Sequence, residues 1–195
     1  AILSHMVESN LFETDDSKIQ SLEELFSDSI ILNLKDLGQD DDMKNMLVAI
    51  FLNLYYEYML SRPFVRREND LRFIDSVLVV DEPDSIMRYD FPILKTLLLQ
   101  GREFGVGVWL ASQYLSHFRT RREDYKQPLL TWFIHKVPDV SGKELREIGL
   151  TDIATETAER IKTLGLFEFL YKTFNVPGRF VHGIPFFKFM KDDSE

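Results

Sequence analysis

The stretch Asp75-Ser-Val-Leu-Val-Val-Asp-Glu82 decides the fold class of this 195-residue chain. A short polar lead-in is followed by four consecutive apolar residues and then by two adjacent carboxylates. A short apolar run bounded in this way is typical of a strand buried in a parallel sheet. Because α/β sheets bind ligands at the carboxyl ends of their strands, the pattern predicts that Asp81 and Glu82 lie at a functional edge. The alternative is an acidic strand end that caps the next helix through solvent.

Composition sets limits on the class of protein. The residues are 45% hydrophobic and include 16 phenylalanines, so a buried core can form. The formal net charge of −9 argues against attraction of nucleic acid to the whole surface, and a role on DNA would require a local basic patch. The chain has no cysteine, which excludes disulfides and suits a cytoplasmic protein. No apolar run in the sequence is long enough for a membrane span.

Alternating strand and helix patterns predict an α/β fold, with a mostly parallel sheet, helices on both faces and an antiparallel edge hairpin. Residues 1–6 resemble a cloning remnant, 7–29 an irregular acidic lead-in with a short helix near 22–26, 30–190 one domain, and 191–195 a polar tail. We expect strands at 30–34, 76–80, 106–111, 131–135, 167–171 and 179–182. We expect helices at about 43–58, 92–103, 142–148 and 155–164.

Two further polar residues fall where such a sheet places functional groups. Gln113 follows the strand at 106–111, and in a parallel sheet it would lie beside Glu82. Arg102 ends the helix between the two strands. Both have structural alternatives, because a polar residue can simply end a strand and a cation is favourable at any helix C-terminus.

Taken in order, these segments resemble a known family. Val77-Leu-Val-Val-Asp-Glu82 has the layout of a Walker B strand, and Leu99-Gln-Gly-Arg-Glu-Phe-Gly-Val-Gly107 and Leu110-Ala-Ser-Gln113 follow it. Over about residues 28–190 the chain resembles the HerA/FtsK superfamily of hexameric DNA motors. The run from Phe91 to Val137 is more narrowly similar to the HerA-like motor subunits, called DptH, of DNA phosphorothioation-dependent restriction systems.

The resemblance implies the C-terminal part of a RecA-like P-loop ATPase core that couples ATP hydrolysis to movement along double-stranded DNA. It implies that Asp81 holds Mg²⁺ through water and that Glu82 and Gln113 act on the attacking water. It also implies that Arg102 serves as an arginine finger in a neighbouring subunit's site. The implied partners are further copies in a homo-hexamer and other subunits of a bacterial restriction or defence complex.

The sequence departs from the family's pattern in its lack of a P-loop. No Gly-x-x-x-x-Gly-Lys-Ser/Thr occurs, and the only Gly-Lys pair, Gly142-Lys143, is followed by Glu144. The phosphate cradle is therefore expected in another part of a longer motor, or in a partner that completes a degenerate subunit. A smaller departure is Pro83, where relatives often carry Ala.

Other candidate residues have simpler explanations. Arg119, Arg121 and Arg122, with Tyr125 and Lys126, form a local basic loop that would suit DNA phosphates, although a solvated loop is the simpler interpretation. The histidines match no metal-ligand spacing, and three consecutive aspartates at 40–42 suit a helix N-cap better than a cation site.

Two rival functions remain open at this point. One is a non-catalytic assembly module of a multi-subunit defence complex, with a vestigial acidic pair. The other is an ATPase of conjugation or secretion that works at a membrane.

Overall fold

A computed structural model describes residues 13, 15–38, 40–69, 71–81, 91–120, 122–151 and 153–188. These residues fall into two compact units. The first takes the described residues up to Val80 and those from Phe91 to Leu110, and the second takes Asp81 and those from Ala111 onward. The α-helices are α1 (Leu22–Phe26), α2 (Asp41–Ser61), α3 (Pro92–Gln100), α4 (Gly142–Glu147) and α5 (Ala154–Lys162). The strands are β1 (Arg67–Glu68), β2 (Leu71–Arg72), β3 (Ser76–Asp81), β4 (Val106–Ala111), β5 (Trp132–Ile134), β6 (Glu168–Lys172) and β7 (Arg179–His182).

The long helix α2 organises the first unit. It begins at Asp40, whose side chain accepts a hydrogen bond of 3.0 Å from the backbone N–H of Met43, as the aspartate run predicts. It ends at Ser61, because the residue before Pro63 is pushed into an extended conformation. Its buried residues recur at helical spacing, which directs one stripe into the core. They are Met43, Val48, Leu52, Tyr55 and Met59.

The short helix α1 packs on α2 through aromatic rings. Its sequence forms a capping box, in which Ser21 and Glu24 each bond the other's backbone N–H. The ring of Phe26 lies 5.5 Å from Phe51 and 5.3 Å from Tyr55, both in edge-on geometry. This confirms the helix predicted near 22–26 and gives part of the acidic lead-in a fixed position in the unit.

The described strands form three small sheets, and one of them is parallel. β3 pairs with β4 in parallel, β1 pairs with β2, and β5, β6 and β7 form an antiparallel sheet in that order. The α/β class and the antiparallel pairing of β6 with β7 are thus confirmed. The expected mostly parallel sheet is not what the described strands form, because β5 pairs antiparallel with β6.

The strand predicted at 30–34 was wrong. These residues are not in a strand, and Ile31 is 90% exposed. An apolar run becomes a strand only when another backbone satisfies its N–H and C=O groups. None of the described strands pairs with this run.

In the second unit, α4 and α5 pack on each other, and α5 lies against one face of the antiparallel sheet. Ser141 and Glu144 form a capping box that starts α4, and Gly149 follows its end with φ +86°. The guanidinium of Arg160 on α5 lies 3.8 Å from the ring centroid of Phe180 on β7. Trp132, Ile134 and Leu170 are buried on this covered face.

No helix within the described part of the chain has both the length and the apolar character needed to cross a membrane.

The turn before β4 depends on Gly105. Gly105 has φ +75°, and a Cβ there would lie 2.7 Å from Cγ2 of Val65 and 2.9 Å from Oδ1 of Asp75. Gly105→Ala should therefore lower the free energy of unfolding by about 2–4 kcal/mol, which combines left-handed strain with overpacking. Gly149 is the matched control, because it has φ +86° and a Cβ there would lie 3.5 Å from Cε of Lys172, an ordinary contact distance. Gly149→Ala should cost only the strain, about 1–2 kcal/mol in urea denaturation, and equal losses would contradict the packing argument.

Candidate functional site

The parallel pair β3–β4 defines the candidate site. Both strands run in the same direction, so their last residues, Asp81 and Ala111, end at one edge of the sheet, which we call the carboxyl edge. Asp81 is exposed there. Because the strand is rigid, it fixes the backbone from which the carboxylate projects, as a precise binding site requires. Glu82, the second predicted carboxylate, lies outside the described residues.

Gln113 lies two residues beyond the end of β4 and is exposed. It belongs to the same compact unit as Asp81. β4, which Gln113 follows, is the neighbour of β3, which ends at Asp81, while the predicted place of Gln113 beside Glu82 stays a prediction. An exposed amide can both donate and accept hydrogen bonds.

A hydroxyl–imidazole pair, which the sequence did not predict, holds the loop that carries Gln113. Oγ of Ser112 lies 3.0 Å from Nδ1 of His117. The His117 ring also packs edge-on against Tyr114 at 5.0 Å. These contacts bracket Gln113 and limit the conformations of its backbone. The available signal was the run Ser-Gln-Tyr-Leu-Ser-His, in which a short turn brings its two ends together.

Arg102 lies in a tight turn, Gly101–Phe104, directly after α3. Phe104 is buried and packs against Phe64 with ring centroids 4.8 Å apart, while Arg102 is exposed. The backbone of Glu103 accepts a hydrogen bond of 2.9 Å from Val65. The turn therefore presents Arg102 to solvent from a fixed base. Arg102 belongs to the first unit, so the structure does not group it with Asp81 and Gln113.

The predicted basic loop is a closed turn of mixed charge. Arg119 and Asp124 form an isolated antiparallel bridge, and the N–H of Thr120 donates to the carbonyl of Glu123 at 2.8 Å. Arg119 and Arg122 are exposed, while Arg121 lies outside the described residues. Glu123 and Asp124 follow directly after these arginines. Their negative charge weakens the electrostatic attraction of the loop for DNA phosphates.

Tyr125 and Lys126 do not belong to that exposed loop, which corrects the prediction. Tyr125 is fully buried and Lys126 is 5% exposed. The ammonium of Lys126 donates to the carboxylate of Glu147 on α4. That hydrogen bond is the main cause of a lowered pKa for Glu147. Lys126 is therefore a structural cation that links the turn to α4.

The donor set of the carboxyl edge suits a nucleotide-bound Mg²⁺ better than a protein cage. Among the described residues no group of three or more histidines and carboxylates is placed to hold a metal ion. Mg²⁺ in phosphoryl-transfer sites commonly takes one or two carboxylates and completes its shell with water and substrate phosphates. One exposed strand-end carboxylate, Asp81, fits that requirement.

The glycines of the described turns do not form a phosphate cradle. Such a cradle needs successive backbone N–H groups that point at one anion. The N–H of Gly105 instead donates within its own turn to the carbonyl of Gly101, and that of Gly149 donates to Arg146 at 3.0 Å. The phosphate contacts of a nucleotide would therefore need residues outside these turns.

Comparison with models of protein families gives no match, and no curated protein matches the chain either.

Removing the partner of Lys126 should destabilise the second unit. Glu147→Gln leaves a buried ammonium without its counter-charge and should lower the free energy of unfolding by about 1–3 kcal/mol. Glu159 offers a matched control, because it pairs with Lys162 at 2.7 Å but its side chain is 69% exposed. Glu159→Gln should change stability by less than about 0.5 kcal/mol. Equal effects of the two substitutions in thermal or urea unfolding would contradict the buried-pair account.

The same pair predicts a pH dependence. Because folding lowers the pKa of Glu147, its stabilisation is fully present above the ordinary value of 4.5 and is lost as the pH falls through the lower folded value. The stability difference between the wild type and Glu147→Gln should therefore shrink below about pH 4.5. A difference that stays constant from pH 7 to pH 3 would show that Glu147 stabilises the unit in some other way.

Proposed function

We propose that this chain is the catalytic-edge part of a HerA/FtsK-type ATPase core with a RecA-like fold, which acts in a DNA motor. The observation that carries the proposal is the parallel pairing of β3 with β4. It supports the arrangement in which an acidic strand end and a neutral amide meet at one edge, as nucleotide hydrolysis requires. The order of these elements in the chain supports the same family.

In this proposal the residues of the carboxyl edge divide the work of hydrolysis. Asp81 would help to hold Mg²⁺, and the ion when bound would neutralise the charge of the nucleotide phosphates. Glu82 accepts a proton from the attacking water, and Gln113 orients that water against the terminal phosphate. The contacts of Ser112 with His117 support the role of Gln113, because they restrict the loop that carries it.

Arg102 is proposed as an arginine finger that completes the site of a neighbouring copy in a hexamer. Its exposure on a turn anchored by Phe104 supports this role, since a finger must reach outward from a rigid base. Double-stranded DNA is the proposed polymer, and Arg119, Arg121 and Arg122 are its proposed contacts in the ring's channel.

The open face of the β3–β4 sheet supports a core completed by further structure. A Cβ on Gly107 would contact Ile74 and Val77, so these residues share one face. Val79 and Trp109 follow on that face by strand alternation and are 59% and 64% exposed. Parallel sheets are normally covered on both faces. The exposed face of β3 and β4 is the proposed place where the half that carries the phosphate-binding loop would pack.

The same open face favours a second candidate function, a non-catalytic assembly module. Contiguous exposed apolar residues mark interaction sites, and such a module would use them to bind another subunit without hydrolysing ATP. The two functions differ in whether the acidic pair is needed for activity.

This chain alone should bind ATP weakly or not at all. Without the backbone N–H groups of a phosphate-binding loop and the lysine of that loop, the phosphates of ATP lose most of their contacts. Titration of a fluorescent ATP analogue in the presence of Mg²⁺ should show no saturation in the micromolar range. Micromolar affinity would contradict the proposal that the phosphate cradle lies elsewhere.

In the protein that joins this chain to a phosphate-binding half, Glu82→Gln should abolish hydrolysis and spare nucleotide binding. Loss of a general base typically lowers turnover by about 100-fold or more, whereas the amide keeps the size of the side chain. Glu156, an exposed residue of α5, supplies the control Glu156→Gln, which should leave turnover unchanged. Undiminished hydrolysis by the Glu82→Gln protein would favour the assembly module or another site.

A further inference from the structure

The outer face of the antiparallel sheet carries aromatic rings. Register pairs Phe133 of β5 with Tyr171 of β6. Since Ile134 and Leu170 are buried on the helix-covered face, strand alternation places Phe133 and Tyr171 on the opposite one. Phe169 shares this outer face, and Phe133 is 60% exposed.

These rings form one continuous patch. Phe133 lies 5.8 Å from Phe169 and 5.3 Å from Tyr171, measured between ring centroids. The imidazole of His135 extends the patch, with its ring 5.5 Å from Phe169. We call these four residues, together with Arg179, the aromatic face.

The charge on this face is opposite to that of the chain as a whole. Arg179 pairs with Tyr171 in the register and holds its guanidinium 5.5 Å from the ring centroid. Glu168 lies on the other face, because it is two residues from the buried Leu170. At the outward positions of β5, β6 and β7, as far as the structure describes them, no carboxylate occurs. In a chain of net charge −9, these described strand positions carry an exposed cation, Arg179, and no carboxylate.

We propose that the aromatic face binds single-stranded nucleic acid, with bases stacked on Phe133, Phe169 and Tyr171 and a phosphate near Arg179. Exposed aromatics on a sheet accept two or three unpaired bases, and cations beside them hold the backbone. Stacking of this kind tolerates any base, so binding is expected without sequence preference.

The two exposed faces differ in residue type, and this difference favours nucleic acid over a protein as the partner of the aromatic face. The open face of β3–β4 is mainly aliphatic, which suits a layer of packed helices. The aromatic face instead combines π surfaces with an arginine and lacks acidic groups, which suits an anionic polymer with flat bases. The proposed binding requires neither nucleotide nor the carboxyl edge. A test of it can therefore succeed or fail independently of the proposed ATPase activity.

The test is fluorescence anisotropy of a labelled oligothymidine of about 20 nucleotides with the 195-residue chain at low salt. Phe133→Ala and Tyr171→Ala should each weaken binding by roughly 5- to 100-fold, the cost of one lost base stack. Tyr171→Phe keeps the ring and should bind like the wild type. The matched control is Phe174→Ala, since Phe174 is 62% exposed in the same unit but lies in the turn after β6.

A second measurement avoids any effect of substitution on folding. Ultraviolet cross-linking of the wild-type chain to an oligonucleotide with 5-iodouracil should map to Phe133, Phe169 or Tyr171 by mass spectrometry. Failure to bind single strands would overturn the proposal, and so would cross-links confined to the loop with Arg119 and Arg122. Unchanged affinity in both alanine variants would overturn the proposal as well, and would favour a protein as the partner of the aromatic face.

Discussion

The parallel pairing of β3 with β4 is the constraint on which the candidate site depends. Parallel neighbours cannot be joined by a tight turn, so the chain must cross back from the end of β3 to the start of β4. Here the return includes α3 and the turn at Gly101–Gly105. The carbonyl of Gly105 accepts a hydrogen bond of 3.0 Å from Asp75, which ties the beginnings of the two strands together. Because the beginnings of the two strands are fixed, both carboxyl ends reach the same edge. This pairing sets the positions of Asp81 and of the loop that carries Gln113.

Contacts made by the helices stabilise the segments that this pairing brings together. α2 is joined to the beginning of β3 by a hydrogen bond between the hydroxyls of Tyr55 and Ser76. Burial is the main cause of a raised pKa for Tyr55, so this phenol stays protonated and can donate. In the second unit, the buried Lys126 and the capped helix α4 stabilise the fold around the sheet. The candidate residues Asp81 and Gln113 therefore lie at a strand end and in a loop, while the helices carry stability.

Much of the fold could be predicted from local sequence, but the pairing of distant segments could not. The aspartate cap and the helical spacing of apolar residues predict α2, and the apolar runs predict β3 and β4. The run at 30–34 has the same local signal as a strand and yet forms none, because pairing depends on a partner elsewhere. The contact of Lys126 with Glu147 spans 21 residues and has no local signature. For the site, the sequence could indicate Asp81 and Gln113 from strand ends, but not the Ser112–His117 contact that restrains the loop.

The most direct measurement of the central claim is a structure of this chain joined to its proposed phosphate-binding half, with Mg²⁺ and a non-hydrolysable ATP analogue. The proposal predicts that a water on the metal contacts the carboxylate of Asp81 and that the terminal phosphate lies beside Gln113. It also predicts that Glu82 faces the water opposite the leaving group. A nucleotide bound away from the ends of β3 and β4 would contradict the claim that this edge is catalytic.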